Sequence, residues 1–280
     1  MRRYSRIGLA ALLVACLAGF GSAERLFAPG AELWEQWTAH SPDDLRTIDH
    51  APWDRLLKTY VTDKPEGANR VAYARVTPED RKALDAYVGA LAAVNISGHA
   101  RHEQLAYWIN LYNALTVQVV LAHYPVATIR DIDISPGLFA DGPWGAKLVS
   151  VEGVALSLND IEHRILRPIW RDPRIHYGVN CASIGCPDLR PEAFIGARVE
   201  QQLTEAARAY VNDPRGVSIK GGNVTVSKIY DWFIEDFGGD EGGVIDHLLD
   251  FAKPALAVEL RRIGKLYDTS YDWSLNDAGK

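Results

Sequence analysis

The chain has 280 residues, with 48% apolar residues and 30 Lys and Arg against 36 Asp and Glu. That composition is enough for a sizeable core, and the acidic balance disfavours nucleic acid and anionic lipid as partners. No repeat, low-complexity run or Pro/Ser-rich linker divides the sequence, so a single domain with an N-terminal helical extension is expected.

The first residues read as an export signal. Arg2, Arg3 and Arg6 form a positive start, residues 7–20 are an apolar run too short to span a bilayer, and Gly21-Ser22-Ala23 offers small residues to a signal peptidase. A second reading competes, because Leu13-Val14-Ala15-Cys16 resembles a lipobox and would make Cys16 a lipidated N-terminus. Both readings send the chain out of the cytoplasm, to the periplasm or beyond. Residues 1–23 hold three Arg and no acid, so the mature part carries 27 basic against 36 acidic side chains, a formal charge of −9. Under simple cleavage Cys181 and Cys186 are the cysteines left, in a compartment where disulfides form. The layout expected is a signal over 1–23, an extension over 24–50 and one domain over 51–280.

Trp53, Leu56, Leu57 and Tyr60 have helical spacing behind Pro52, a residue suited to a first turn. Residues 71–76 alternate and read as a short strand or extended link. Thr77-Pro78 starts the next helix, with Thr77 as cap. Residues 103–122 form the strongest helix. Leu105, Trp108, Ile109, Tyr112, Leu115 and Val119 share one face, and Leu111, Ala114 and Leu121 extend the apolar surface nearly all round, so this helix belongs at the centre. Asn110, Asn113 and Gln118 argue against a membrane span, and no transmembrane helix is expected in the mature chain. Asn110 and Asn113 project from the same side, and something polar must meet them, since an unpaired buried amide costs about 1–3 kcal/mol.

Residues 147–154 read as a hairpin around Gly153. Ser157-Leu158-Asn159-Asp160 then opens a helix with a Ser…Asp capping box. Glu162 falls in the middle of that helix's apolar stripe (Leu158, Ile161, Ile165, Leu166, Ile169), and His163 lies on its flank. A carboxylate there needs a partner, such as Arg130 or Arg190, or a proton. Residues 175–181 read as a strand, 191–210 as a helix, 218–226 as a hairpin around Gly221-Gly222-Asn223, 229–237 as a short aromatic helix ended by Gly238-Gly239, and 244–253 as a helix. Helices dominate a few short strands. The class is α+β, mostly helical, with a small, mainly antiparallel sheet.

Reactive side chains crowd into His176-Tyr177-Gly178-Val179-Asn180-Cys181-Ala182-Ser183-Ile184-Gly185-Cys186-Pro187. One hypothesis is a cysteine-dependent hydrolase or acyltransferase, in which an imidazole lowers the thiol pKa and a carboxylate or amide orients the imidazole. The roles would be Cys181 as nucleophile, His163 as base, and Glu162, Asn110 and Asn113 as polar supports, with Cys186, His176 and Asn180 in reserve. Glu162 and His163 are adjacent, about 100° apart round a helix, so neither reaches the other simply along the axis. The competing reading is a non-catalytic cell-envelope module stapled by a Cys181–Cys186 disulfide. Thiol exchange is disfavoured because Cys-x4-Cys is not Cys-x-x-Cys. A zinc site from His163, His176, Cys181 and Cys186 lacks the usual ligand spacing. No cofactor or metal is expected. The eight Trp and twelve Tyr can line a groove for a peptide or glycan, or fill the core.

Five ordered blocks carry a resemblance. They are Tyr107-Trp108-Ile109-Asn110-Leu111-Tyr112-Asn113-Ala114, Leu156-Ser157-Leu158-Asn159-Asp160-Ile161-Glu162-His163, residues 175–183 with Gly185-Cys186-Pro187, Asp236-Phe237-Gly238, and Tyr271-Asp272-Trp273-Ser274-Leu275-Asn276. Across roughly residues 50–276 the chain resembles the domain-of-unknown-function 547 family. The resemblance implies one domain, exported in many bacteria, with no assigned activity, and a likeness to papain-like and transglutaminase-like thiol enzymes. A peptide, a glycan or an envelope component is the expected partner.

Overall fold

The apolar stretch expected to be central is the axis of the molecule. The structure, a computed structural model, describes residues 23–62, 67–137 and 142–279. The expected signal, with its Cys16 alternative, lies outside the described residues apart from Ala23. Helix α3 (Arg101–His123) buries 18 of its 23 residues, as an element apolar on all sides must. It is long and apolar enough to cross a membrane, but protein surrounds it. Around it stand α1 (Ala51–Tyr60), with Pro52 in its first turn, and α2 (Pro78–Ala92), whose Thr77 hydroxyl accepts from the Asp80 N–H. Both features were expected from the sequence. Strands β1 (Val61–Thr62) and β2 (Arg70–Val71) pair antiparallel between them, and Tyr73–Arg75 continues as a 3-10 turn.

Strands β3 (Val149–Val151) and β4 (Val154–Leu156) make the expected hairpin. Its turn residues Glu152 and Gly153 both have positive φ, 48° and 80°, as a two-residue type I′ turn demands. Helix α4 covers residues 158–170. These parts share one large core with α1, α2 and α3. A second core lies under α6 (Val199–Val211), strands β5 (Val217–Lys220) and β6 (Asn223–Ser227), α7 (Ile229–Trp232), α8 (Glu241–Phe251) and α9 (Pro254–Ile263). Strand β7 (Asp268–Ser270) joins β6 in parallel, so three separate ribbons replace the single small sheet expected. The class is α+β, mostly helical.

Three expectations are corrected. The extension before residue 51 carries only two 3-10 turns, Ala23–Phe27 and Glu35–Thr38. Residues 175–181 are not a strand: Ile175–Gly178 makes one helical turn, α5, and the chain extends only from Val179. A short apolar run cannot announce its own period, and among the described residues no neighbouring strand pairs with this one. Residues 191–195 are irregular because side chains satisfy their backbone: Asp54 takes the Ala193 N–H, Asn110 binds both the N–H and the C=O of Phe194, and Gln202 takes the Ile195 N–H.

Candidate thiol site

Helix α4 changes register where the site needs it. It opens with the expected capping box: Ser157 Oγ accepts from the Asp160 N–H, and Asp160 Oδ2 accepts from the Ser157 N–H. From Asp160 to Leu166 the winding is π-helical, and the Arg167 N–H reaches Glu162 O. That leaves His163 O without its α-helical donor, and Pro168, which has no N–H, leaves Arg164 O in the same condition. The N-terminal segment supplies both donors, Glu32 N–H to His163 O at 2.9 Å and Trp34 N–H to Arg164 O at 3.0 Å. The bulge turns Glu162 and His163 inward together, and both are buried. Glu162 Oε1 comes within 4.0 Å of His163 Nδ1 and 3.8 Å of His176 Nδ1, beyond hydrogen-bond length. Arg190, one cation considered for Glu162, is paired instead with Glu192 and Glu205.

Arg167, buried, organises the imidazoles. Its Nη1 donates to His163 Nδ1 at 3.0 Å and to Pro29 O at 2.8 Å, and its Nε donates to Asp236 Oδ2 at 2.5 Å. A guanidinium only donates, so His163 Nδ1 must accept and the ring carries its proton on Nε2. Burial pushes the His163 pKa down to about 4, so the ring is neutral at pH 7. This geometry does not suit His163 to the part of base. His176 is better placed: its Nε2 lies 2.7 Å from Asp236 Oδ2, its ring stacks on Phe233 at 4.5 Å, and its Nδ1 faces Glu162. Burial raises the Asp236 carboxyl, but the hydrogen bonds from His176 and Arg167 outweigh it and hold the pKa at about 2.

Asn110 and Asn113 do not approach an imidazole. Asn110 clamps Phe194, while Asn113 donates to Gly178 O at 2.9 Å and accepts from the Asn180 N–H at 2.8 Å. The polar partners they require are therefore main-chain groups, and Asn113 fixes the start of the cysteine loop. Asn180 braces that loop from inside, its Oδ1 accepting from the Ala182 N–H and its Nδ2 donating to Pro187 O. The brace holds Ala182 at φ +60°, a left-handed conformation that costs a non-glycine residue about 1–3 kcal/mol. The C-terminal tail closes over the loop: the Ile184 N–H donates to Ser274 O, the Gly185 N–H to Asp272 O and the Asn276 N–H to Ala182 O. A Cβ on Gly185 would lie 2.7 Å from Asp272 N, so only glycine admits the tail there.

The tail brings Tyr271 to the thiol. Its hydroxyl lies 3.0 Å from Cys181 Sγ and 2.8 Å from Ser183 Oγ, and Ser183 Oγ is 3.3 Å from the same sulfur. The Cys181 N–H donates to Cys186 Sγ at 3.1 Å. Both thiols are free, so the staple of the competing reading is not formed here. The Cys181 pKa falls to about 7, with the neighbouring Cys186 as the largest influence and Ser183 and Tyr271 adding to it, against the effects of burial and the Glu162 charge. Burial pushes Cys186 up. Both cysteines, Glu162, His163 and His176 line one cavity of about 650 Å³. A larger one, of about 1340 Å³, is lined by ion-paired Arg190, Asp213 and Arg215 and reaches neither a cysteine nor an imidazole.

Residues 96–211 match the model of the family described as "Protein of unknown function, DUF547". This segment belongs to the DUF547 family. No curated protein and no solved structure matches the chain. The DUF547 segment supplies both thiols, both imidazoles, Glu162 and Arg167, while Asp236 and Tyr271 come from beyond it. The sequence reading missed these last two, together with Ser183 and Arg167, as site residues. Asp236 and Tyr271 stood in blocks quoted for the resemblance, but nothing in the sequence marks either as facing the thiol loop. Arg167 carried no signal beyond lying four residues after His163.

Proposed function

We propose that the chain is a thiol-dependent hydrolase or acyltransferase acting on amide bonds, with Cys181 as nucleophile. The observation that carries this reading is the environment of Cys181. A half-buried sulfur with its pKa lowered to about 7 shares a cavity with an imidazole that a carboxylate orients. In this reading the Cys181 thiolate attacks the amide carbonyl carbon and the C–N bond breaks. The leaving nitrogen takes the proton that His176 Nδ1 received from the thiol, and water or an amine, giving its own proton to Nδ1, then cleaves the thioester; that proton returns to the sulfur as Cys181 is freed. Asp236 keeps His176 turned, so that Nδ1 faces the cavity side where Glu162 lies. The hydroxyls of Tyr271 and Ser183 are the donors nearest the reacting sulfur and are suited to a developing oxyanion.

The Arg-rich and apolar first residues support export, to the periplasm or beyond, and the acidic balance disfavours nucleic acid and anionic lipid, leaving a peptide, glycan or envelope component as the partner class. N-terminal sequencing of protein recovered from the periplasm checks the export: a start at Glu24, or a lipidated Cys16, is expected, and an intact Met1 in the cytoplasm would contradict it. The activity is tested with an acyl-type electrophilic probe on protein purified without reductant. Wild type should label at Cys181, Cys181→Ser should not, and His176→Asn should label at least tenfold more slowly. A wild-type protein without free thiols, or one labelled equally at any cysteine, would remove the enzymatic reading.

A further inference from the structure

A segment of the chain itself walls the cavity. Glu24, Phe27, Ala28 and Pro29 line it, and the strap they belong to, residues 24–29, is fixed at both ends to the groups that frame the thiol site. At one end, Glu24 Oε1 meets Lys228 Nζ at 2.7 Å and Glu24 Oε2 accepts from Trp232 Nε1 at 3.2 Å. Lys228, which caps α7, and Trp232 at its end are four residues apart, so an ammonium and an indole N–H take one oxygen each of a single carboxylate. From Trp232 the contacts run directly to the sulfur: its ring lies 4.9 Å from the Tyr271 ring, and the Tyr271 hydroxyl is 3.0 Å from Cys181 Sγ. At the other end, Pro29 O accepts from Arg167, the guanidinium that also binds His163 and Asp236.

Between these anchors the strap buries little. Leu26 and Phe27 are 84% and 87% exposed, so few apolar contacts hold it down. The Glu24 side chain is itself 55% exposed. An exposed ion pair of this kind shifts an equilibrium only a few-fold. The strap is therefore a displaceable occupant.

We infer that Lys228 and Trp232 form a carboxylate clamp for a peptide substrate carrying an acidic side chain, and that residues 24–29 occupy this subsite within the chain until such a peptide displaces them. The inference rests on the thiol reading for the word substrate, but the clamp can be tested without catalysis. A fluorescent hexapeptide with the sequence of residues 24–29 is titrated by anisotropy into three forms of the full chain: wild type, Glu24→Lys, and Glu24→Lys combined with Lys228→Ala and Trp232→Phe. Glu24→Lys sets like charges together and should free the clamp without harming the fold, because Glu24 is mostly exposed.

The Glu24→Lys form is expected to bind the hexapeptide a few-fold more tightly than wild type, and the combined variant to lose that gain. Alkylation of Cys181 by neutral iodoacetamide should be several-fold faster in Glu24→Lys than in wild type, and the hexapeptide should slow it again. No binding to Glu24→Lys at millimolar peptide, or equal binding by the combined variant, would overturn the clamp. Peptide binding with a thiol that never reacts would keep the clamp and sink the enzymatic reading. A reactive thiol without peptide binding would do the reverse.

Discussion

Replacing Cys186 by Ala removes the largest influence holding the Cys181 thiol below its ordinary value near 9. At a pKa of about 7 roughly half of Cys181 is thiolate at pH 7, against about 1% for an unperturbed thiol. A hydrogen bond to a charged group is worth about 1.5–3 kcal/mol, but S–H is a weak donor, so about 1.4 kcal/mol is a fair share, or one pKa unit. Cys186→Ala should therefore move the midpoint of Cys181 alkylation from about 7 to about 8, while Cys186→Ser, which keeps a donor, should move it less. The rate at a single pH is a poor readout. The thiolate fraction at pH 7 falls about fivefold, but a more basic thiolate is intrinsically more nucleophilic, which leaves a net loss of only about twofold. The assay is the pH profile of iodoacetamide labelling, with the modified cysteine located by mass spectrometry. Cys186, buried and shifted upward, should stay silent across this range. A midpoint in Cys186→Ala that stays at 7 or falls would refute the assignment of Cys186 as the chief influence on Cys181.

Three further outcomes follow from the same geometry. Asn110→Ala strips partners from both polar groups of the Phe194 backbone, about 1–3 kcal/mol each, so urea unfolding should show a loss of at least 2 kcal/mol; a loss below about 0.5 would contradict the clamp. Asp236→Asn leaves buried Arg167 without its counter-charge and should cost about 3–5 kcal/mol. Because Asp236 is depressed to about 2 from 3.8, its contribution is complete above about pH 4 and lost as pH falls towards 2, so wild type should lose stability in that window and Asp236→Asn should not. Gly185→Ala pushes the tail off the loop and carries Tyr271 away from Cys181, so its alkylation midpoint should rise in a protein that still folds; an unchanged midpoint would show that Tyr271 does not tune the thiol.

What could be read in the sequence was what long runs and local chemistry specify. Eighteen buried positions in one helix leave no doubt about α3, and Thr77, Ser157 and Gly153 act within three residues of themselves. The polar demand of Asn110 and Asn113 was legible, but its answer was not, because Phe194 and Gly178 are 84 and 65 residues away. The π-helical turn was signalled only by Pro168, and its consequence for the Glu162 and His163 directions needs the coordinates of Glu32 and Trp34. His163 was the candidate base as an imidazole on the flank of the Ser157-capped helix. Arg167, one helical turn on, takes its Nδ1 and hands that candidacy to His176.

The thiol loop lies on the seam between the two cores. Ile175 and Val179 pack into the first, and Tyr177 between them packs into the second. Helix α5 is thus pinned from both sides, and Cys181 follows it by three residues. The second core is also what presents α7, Asp236 and the tail that carries Tyr271. A chain ending at residue 211 would keep both thiols, both imidazoles and Glu162. It would lose the carboxylate that orients His176 and one of the hydroxyls that stabilise the Cys181 thiolate. Cys186 and Ser183 act on Cys181 from within the DUF547 segment, while Asp236 and Tyr271 act from outside it, so the proposed chemistry draws on the second core as well as the first.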